Sequence, residues 1–102
     1  MHNEEVIHND YFNKTWIEWV TDGKVSVPFL HQDLRTEWCV STYKTGLKRI
    51  LGVLRLLHLR GIPILYIKIP IDDHHKKFEE MIGFTEYARD SDNIFMFQRT
   101  DI

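Results

Sequence analysis

The chain has 102 residues, 43% of them hydrophobic and 13% aromatic, a length and composition that suit a single domain spanning residues 1–102 with a packed core. Its one cysteine, Cys39, excludes an intramolecular disulfide framework, and the lack of a signal-peptide pattern or a membrane-length apolar run favours a cytoplasmic location. The formal net charge of −2 and the lack of a recognition motif disfavour nucleic-acid binding.

The first 41 residues are predicted to hold one helix and two strands. Aromatic and aliphatic side chains recur at helical spacings across residues 10–20, which predicts an amphipathic helix. The alternation in residues 24–30 predicts a short strand, and Pro28 restricts that strand to a sheet edge or places the proline at a strand end. Residues 37–41 alternate in polarity and predict a second strand.

The centre of the chain has the pattern of a βαβ unit. Apolar residues at i, i+3, i+4 and i+7 predict a helix over residues 44–60, with Gly61 placed to end it. The nearly continuous apolar run at residues 62–69 is typical of a parallel strand buried on both faces. We therefore expect residues 37–41 and 62–69 to be neighbouring parallel strands joined by a crossover helix.

The last third of the chain predicts a second helix and a hairpin. Asp72 and Asp73 favour a helix start, Gly83 favours its end, and two short strands follow around the turn DSDN. His74 and His75 are adjacent and so project to different sides of this helix, which argues against a metal site. The fold class predicted is α/β, with a mixed sheet.

Residues 78–84, FEEMIGF, resemble the FYEKLGF pattern of the GNAT superfamily, the Gcn5-related N-acetyltransferases. Together with the order strand, helix, buried strand, short helix and hairpin, the resemblance covers residues 37–99. It implies a minimal GNAT-like mixed sheet with a βαβ unit and a C-terminal β-hairpin. The N-terminal half is shorter than is usual in the family, and such short chains are reminiscent of accessory proteins encoded by tailed phages.

The resemblance implies acetyl-CoA as the cofactor. The family binds its pyrophosphate on backbone amides of an Arg/Gln-x-x-Gly-x-Gly/Ala loop, to which YKTGLK corresponds: Gly46 matches the first glycine, whereas Tyr43 and Lys48 replace the usual Arg/Gln and Gly/Ala. Basic side chains near a helix start would also attract an anion. The alternative is that they are ordinary surface cations, neutralised by acids of residues 72–101. The residues implied to bind the cofactor are Val40, Ser41, Lys44, Thr45, Gly46, Leu47 and Lys48.

Catalysis is the open question, since Glu79 stands where the family usually has a tyrosine that acts as general acid. An ordinary glutamate is ionised at pH 7 and cannot donate a proton to a departing thiolate. The resemblance implies Glu37 as a base, with Tyr43 or Tyr66 as a substitute acid. A solvated strand edge is the alternative for Glu37, and packing is the alternative for both tyrosines.

Two functions follow from this sequence. The first is an acetyl-CoA-dependent N-acyltransferase acting on an amine, of a protein in particular. The second is a non-catalytic GNAT-like binding or inhibitor protein that blocks a macromolecular partner. The short N-terminal region and an exposed sheet edge predict a homo-oligomer or a protein partner, with Trp16, Trp19 and Phe29 as apolar anchors.

Overall fold

The computed structural model describes residues 2–34 and 39–101. These residues form one mixed six-stranded sheet of order β1-β2-β3-β4-β6-β5, in which β3 and β4 are parallel and the other neighbours are antiparallel. The predicted α/β fold with a mixed sheet, a βαβ unit and a C-terminal hairpin is confirmed. The elements in chain order are β1 (His2–Asn9), β2 (Asn13–Asp22), β3 (Val25–Leu34), α1 (Val40–Leu59), β4 (Ile64–Pro70), α2 (Asp73–Ile82), β5 (Thr85–Arg89) and β6 (Asn93–Arg99).

The predicted helix over residues 10–20 is wrong, because this segment contains most of β2. That strand pairs with β1 on one side and β3 on the other, and Ile17 lies opposite Leu30 in the core. Its aromatic and β-branched residues alternate between the two faces of the sheet. Pro28 was expected at an edge or strand end but lies buried within β3, opposite Trp19. It is tolerated there because β3 and β4 share a single register pair, Phe29 with Tyr66, so few ladder hydrogen bonds are lost.

The predicted strand at residues 37–41 is also wrong where the structure describes it. Glu37 lies outside the described residues, and Val40 and Ser41 form the first turn of α1. The N–H of Tyr43 already donates to the carbonyl of Cys39 at 2.9 Å, so the helix begins four residues earlier than expected. The parallel neighbour of β4 is therefore β3, not residues 37–41.

Both helices cover the same face of the sheet. On β4, buried residues alternate with more exposed ones, so the strand is buried on one face and not on both as predicted. Ile82 of α2 packs against the same core as α1, and both helices contact β4. None of the described helices is long and apolar enough to cross a membrane. The core consists of Ile17, Leu30, Ile50, Val53, Leu54, Leu57, Leu65, Ile67, Ile69, Phe84, Ile94 and Met96.

The bounds of α2 follow from its two caps. The Asp72 side chain accepts hydrogen bonds from the N–H groups of His74 and His75, at 2.9 and 3.4 Å. At the other end Gly83 adopts a φ of +120° and donates its N–H to the carbonyls of the last turn. The predicted start and end of this helix are confirmed.

Candidate active-site cleft

A cleft of about 620 Å³ lies where β3 and β4 diverge, at their carboxyl ends. The two parallel strands meet at one register pair only, whereas β2 with β3 and β4 with β6 pair along their lengths. Carboxyl ends of neighbouring parallel strands are the usual ligand-binding edge of α/β sheets, and the volume falls within the range of small-molecule pockets. The lining comprises Asn13, Leu30, His31, Gln32, Gly46, Ile50, Ile67, Lys68, Ile69, Pro70, His74, His75, Phe78 and Glu79.

The segment YKTGLK, predicted to be a phosphate-binding loop, is helical throughout. In a helix interior each N–H is bonded to the carbonyl four residues back, so the amides of residues 44–48 are already bonded within α1, and their binding of a phosphate stays a prediction. Val40 and Ser41 lie in the first turn, where N–H groups have no intrahelical acceptor. The loop that precedes them includes residues 35–38, which lie outside the described residues.

Of the residues predicted to bind the cofactor, Gly46 is the one that lines the cleft. Its carbonyl lies 3.5 Å from Nε2 of Gln32, and a Cβ added there would meet nothing within 4 Å. Thr45 instead donates its hydroxyl to the carbonyl of Ser41 at 3.0 Å, and Leu47 is half-buried. The side chains of Val40, Ser41, Lys44 and Lys48 are exposed on α1.

The tyrosines predicted as substitute acids are found in ring contacts. Tyr43, in the first turn of α1, packs edge-on against Phe78 of α2 at a centroid distance of 5.2 Å, and Phe78 lines the cleft. Tyr66 stacks on Phe29 at 5.5 Å and alternates with the buried residues of β4, so it lies on the sheet face away from the helices. Glu37, the predicted base, remains a prediction because it lies outside the described residues.

Glu79 is the buried acid of the cleft wall. Its exposed fraction is 7%, its Oε1 lies 3.5 Å from Nε2 of His75, and its Oε2 is buried with no hydrogen-bond partner among the described residues. The hydrogen bond with Glu79 raises the pKa of His75 above its usual value, against the opposing effect of burial. The sequence predicts an ordinary ionised glutamate at this position, although its i, i+4 spacing from His75 could have indicated the pair.

Arg49 and Arg60, two basic residues in the middle of the chain, form ion pairs with acidic residues of the same chain. Arg49 donates to both carboxylate oxygens of Asp10, at 3.1 and 2.6 Å, and to Oδ1 of the buried cleft residue Asn13. These hydrogen bonds hold the pKa of Asp10 well below its usual range. Arg60 forms two hydrogen bonds with the carboxylate of Glu5, at 2.8 and 2.7 Å. The partners come from the N-terminal segment rather than from residues 72–101, and both arginines are engaged in holding α1 on the sheet.

Solved structures of N-acetyltransferases share this arrangement of strands and helices. No protein-family model and no curated protein matches the sequence. Among solved structures, an N-acetyltransferase from Staphylococcus aureus is similar, with a TM-score of 0.69 and 10% identity over 87% of this chain and 60% of that one. PaiA N-acetyltransferase from Thermoplasma acidophilum in complex with coenzyme A has a TM-score of 0.64 and 16% identity, over 83% of this chain and 52% of that one. A chimeric spermidine N-acetyltransferase from Vibrio cholerae and hSSAT has a TM-score of 0.67 and 12% identity, over 97% of this chain and 67% of that one.

The chain spans between 52% and 67% of the length of these three proteins. At such identities the likeness concerns the arrangement of strands and helices. It does not extend to the substrates of those enzymes.

Proposed function

Because the chain has the fold of the GNAT N-acetyltransferases, we propose that it is an acyl-CoA-dependent N-acyltransferase, with acetyl-CoA as donor and an amine of a protein as acceptor. The observation that carries this proposal is the cleft between the diverging parallel strands β3 and β4. One neighbour with this fold is a complex with coenzyme A, which supports an acyl-CoA ligand.

The residues of the cleft fit this ligand class. The side chains of Leu30, Ile50, Ile67 and Ile69 give the cleft an apolar floor that suits the aliphatic part of an acyl-CoA arm. Where β3 and β4 separate, backbone groups that would otherwise form the ladder are left to bond the amides of that arm. When bound, acetyl-CoA supplies the thioester whose acyl group is transferred to the amine.

The chain would hold the pyrophosphate at the start of α1 rather than on the backbone amides of residues 44–48. N–H groups of the first turn of α1 point out of the helix start, and Lys44 follows on the exposed side of the same helix. Arg49 is committed to Asp10 and Asn13, so it contributes little to anion binding. Val40, Ser41 and Lys44 are therefore the predicted contacts that we retain for the phosphates.

The melting temperature with and without acetyl-CoA tests the proposal, because a ligand at 100 times its dissociation constant stabilises the folded state by about 2.7 kcal/mol. Gly46→Glu places a carboxylate on the cleft wall and should abolish the shift. Gly52→Glu is the matched control, since Gly52 lies exposed on the same helix with equal space around it. Release of free thiol that depends on an added amine then tests transfer. No melting shift at millimolar acetyl-CoA in the wild type would refute the function.

A non-catalytic binding protein is the second candidate, and the aromatic face of the sheet favours it. We define this face by the residues Phe29, Tyr66, Tyr87, Phe95 and Phe97. Tyr87 contacts three of the other rings, at centroid distances of 5.8 to 6.4 Å, and is 48% exposed. The described helices lie on the opposite face, so no described helix covers these rings. A sheet face open to water is normally polar.

A second copy of the chain is the occupant we propose for the aromatic face. Six strands about 4.8 Å apart and about seven residues long give a face of roughly 24 by 23 Å. This whole sheet face, of which the aromatic face is the part over β3, β4, β5 and β6, has a flat area of about 550 Å², against roughly 800 Å² per partner of a standard interface, and two such faces can pack as a sandwich. Of the predicted anchors, Trp16 and Phe29 alternate onto this face, whereas Trp19 packs toward the core and donates Nε1 to Glu5.

Sedimentation tests the second copy directly. Tyr87→Ser should raise the dimer dissociation constant about thirtyfold, as loss of an aromatic anchor does. Leu59→Ser is the matched control, because Leu59 is 77% exposed at the end of α1 and lies away from the aromatic face. A wild type that stays monomeric at a protein concentration about 100 times a micromolar dissociation constant would refute this proposal and indicate a different partner.

A further inference from the structure

His75 and Glu79 form an ion pair on the cleft wall, and neither is among the predicted catalytic residues. They are one helical turn apart on α2 and both line the cleft. Glu79 is 7% exposed, and its Oε2 has no hydrogen-bond partner among the described residues. A buried carboxylate oxygen without a donor is costly. The carboxylate of Glu79 therefore has one oxygen left to accept a proton.

The surroundings of His75 favour its charged form. The carboxylates of Glu79 on α2 and of the N-cap residue Asp72 both raise the pKa of His75, and the adjacent His74 also lines the cleft. The charged or titratable residues that line the cleft from the neighbouring strands are Lys68 of β4 and His31 of β3. His31 bonds to Glu18 at 2.9 Å, and α1 contributes only glycine and isoleucine to the lining. The balance of these groups raises the pKa of His75 above that of an ordinary histidine.

We propose that His75 and Glu79 act as a catalytic pair that moves the two protons of acyl transfer, in place of the tyrosine usual in the family. The inference rests on the acyltransferase function proposed above. A glutamate alone cannot protonate a thiolate at neutral pH. In the pair the proton donor is the imidazolium, whose charged form the glutamate favours.

The pair accounts for both protons of the transfer. As the amine nitrogen bonds to the acyl carbon, the carbon–sulfur bond breaks and its electron pair leaves on sulfur. His75 gives the proton on Nε2 to that sulfur, and the amine gives its proton to the carboxylate of Glu79. Transfer of a proton from the carboxyl group to the imidazole then restores the starting state, since the two groups are already paired.

Titration of the His75 imidazole by NMR in the ligand-free protein is the first test, because it does not depend on activity. The pKa of His75 should lie above 6.5 and should fall in Glu79→Gln, which keeps the shape of the side chain. The matched controls are Glu80→Gln and His58→Gln, which change exposed residues of the same types on α2 and α1. Neither control should move the His75 titration.

Amine-dependent thiol release against pH is the second test. His75→Gln and Glu79→Gln should each lower the rate by about 10²- to 10⁴-fold, and the alkaline limb of the wild-type profile should follow the NMR titration of His75. Circular dichroism confirms that the variants are folded.

Three results separate the possible failures. A variant rate equal to that of wild type overturns the pair and leaves the proposed function standing. A His75 pKa at or below 6.5, or one that does not respond to Glu79→Gln, also overturns the pair. A wild type that neither binds acetyl-CoA nor releases thiol overturns the function and the pair together.

Discussion

Replacing Gly83 with alanine should destabilise the protein, because residue 83 ends α2 in a backbone conformation that side chains rarely adopt. Its φ is +120°, and an added Cβ would lie 2.6 Å from Nε2 of Gln98. That amide donates to the carbonyl of Ile82 at 3.3 Å, and its displacement would break this hydrogen bond. The strained backbone costs about 1–3 kcal/mol and the lost bond about 0.5–1.5 kcal/mol. We expect Gly83→Ala to lower the free energy of unfolding by about 2–4 kcal/mol.

Urea unfolding followed by circular dichroism measures this loss, provided that the slope against urea is unchanged. Gly52→Ala is the matched control, since residue 52 lies inside α1 and an added Cβ there meets nothing within 4 Å. That change should raise the free energy of unfolding by about 0.5–1 kcal/mol, through helix propensity. Equal unfolding midpoints for Gly83→Ala and wild type would refute the assigned conformation of residue 83 and its contact with Gln98.

Three further changes test other contacts. Arg49→Ala should lower the melting temperature more than Arg60→Ala, because the Arg49 side chain is 13% exposed and that of Arg60 is 42% exposed; equal losses would contradict the clamping role of Arg49. Asp72→Ala removes the cap of α2 and should lower the free energy of unfolding by about 1 kcal/mol in urea, whereas Asp72→Asn should lose less. His75 has a raised pKa in the folded state, so its contribution to stability is full below the unfolded pKa and is lost as pH rises through the folded value. The stability difference between wild type and His75→Gln should therefore be larger at pH 5.5 than at pH 9, and a difference that grows with pH would have the wrong sign.

Local sequence signals were sufficient for the order of helices and strands from residue 44 onward, although not for which faces of β4 are buried. The apolar stripe of α1 and the short apolar run of β4 indicate a helix and a strand whichever segments pack against them. Asp72 and Gly83 mark the two ends of α2 through bonds to residues within four positions. The resemblance in residues 78–84 rests on the same local feature, a helix that ends at glycine before an aromatic residue. These predictions held because each depends on contacts between near neighbours in the chain.

Tertiary structure decided the N-terminal half and the candidate site. The aromatic residues of β2 fit a helical spacing as well as a strand, and the strand prevails because β1 and β3 supply hydrogen-bond partners on both sides. Glu79 looks like a solvated helix residue in the sequence, and it is buried only because α2 lies against β4 beside the cleft. The cleft itself exists because β3 and β4, separated by 29 residues, meet at one position and then diverge. Burial, pairing and the opening of a cleft are contacts between distant segments, and no local pattern specifies them.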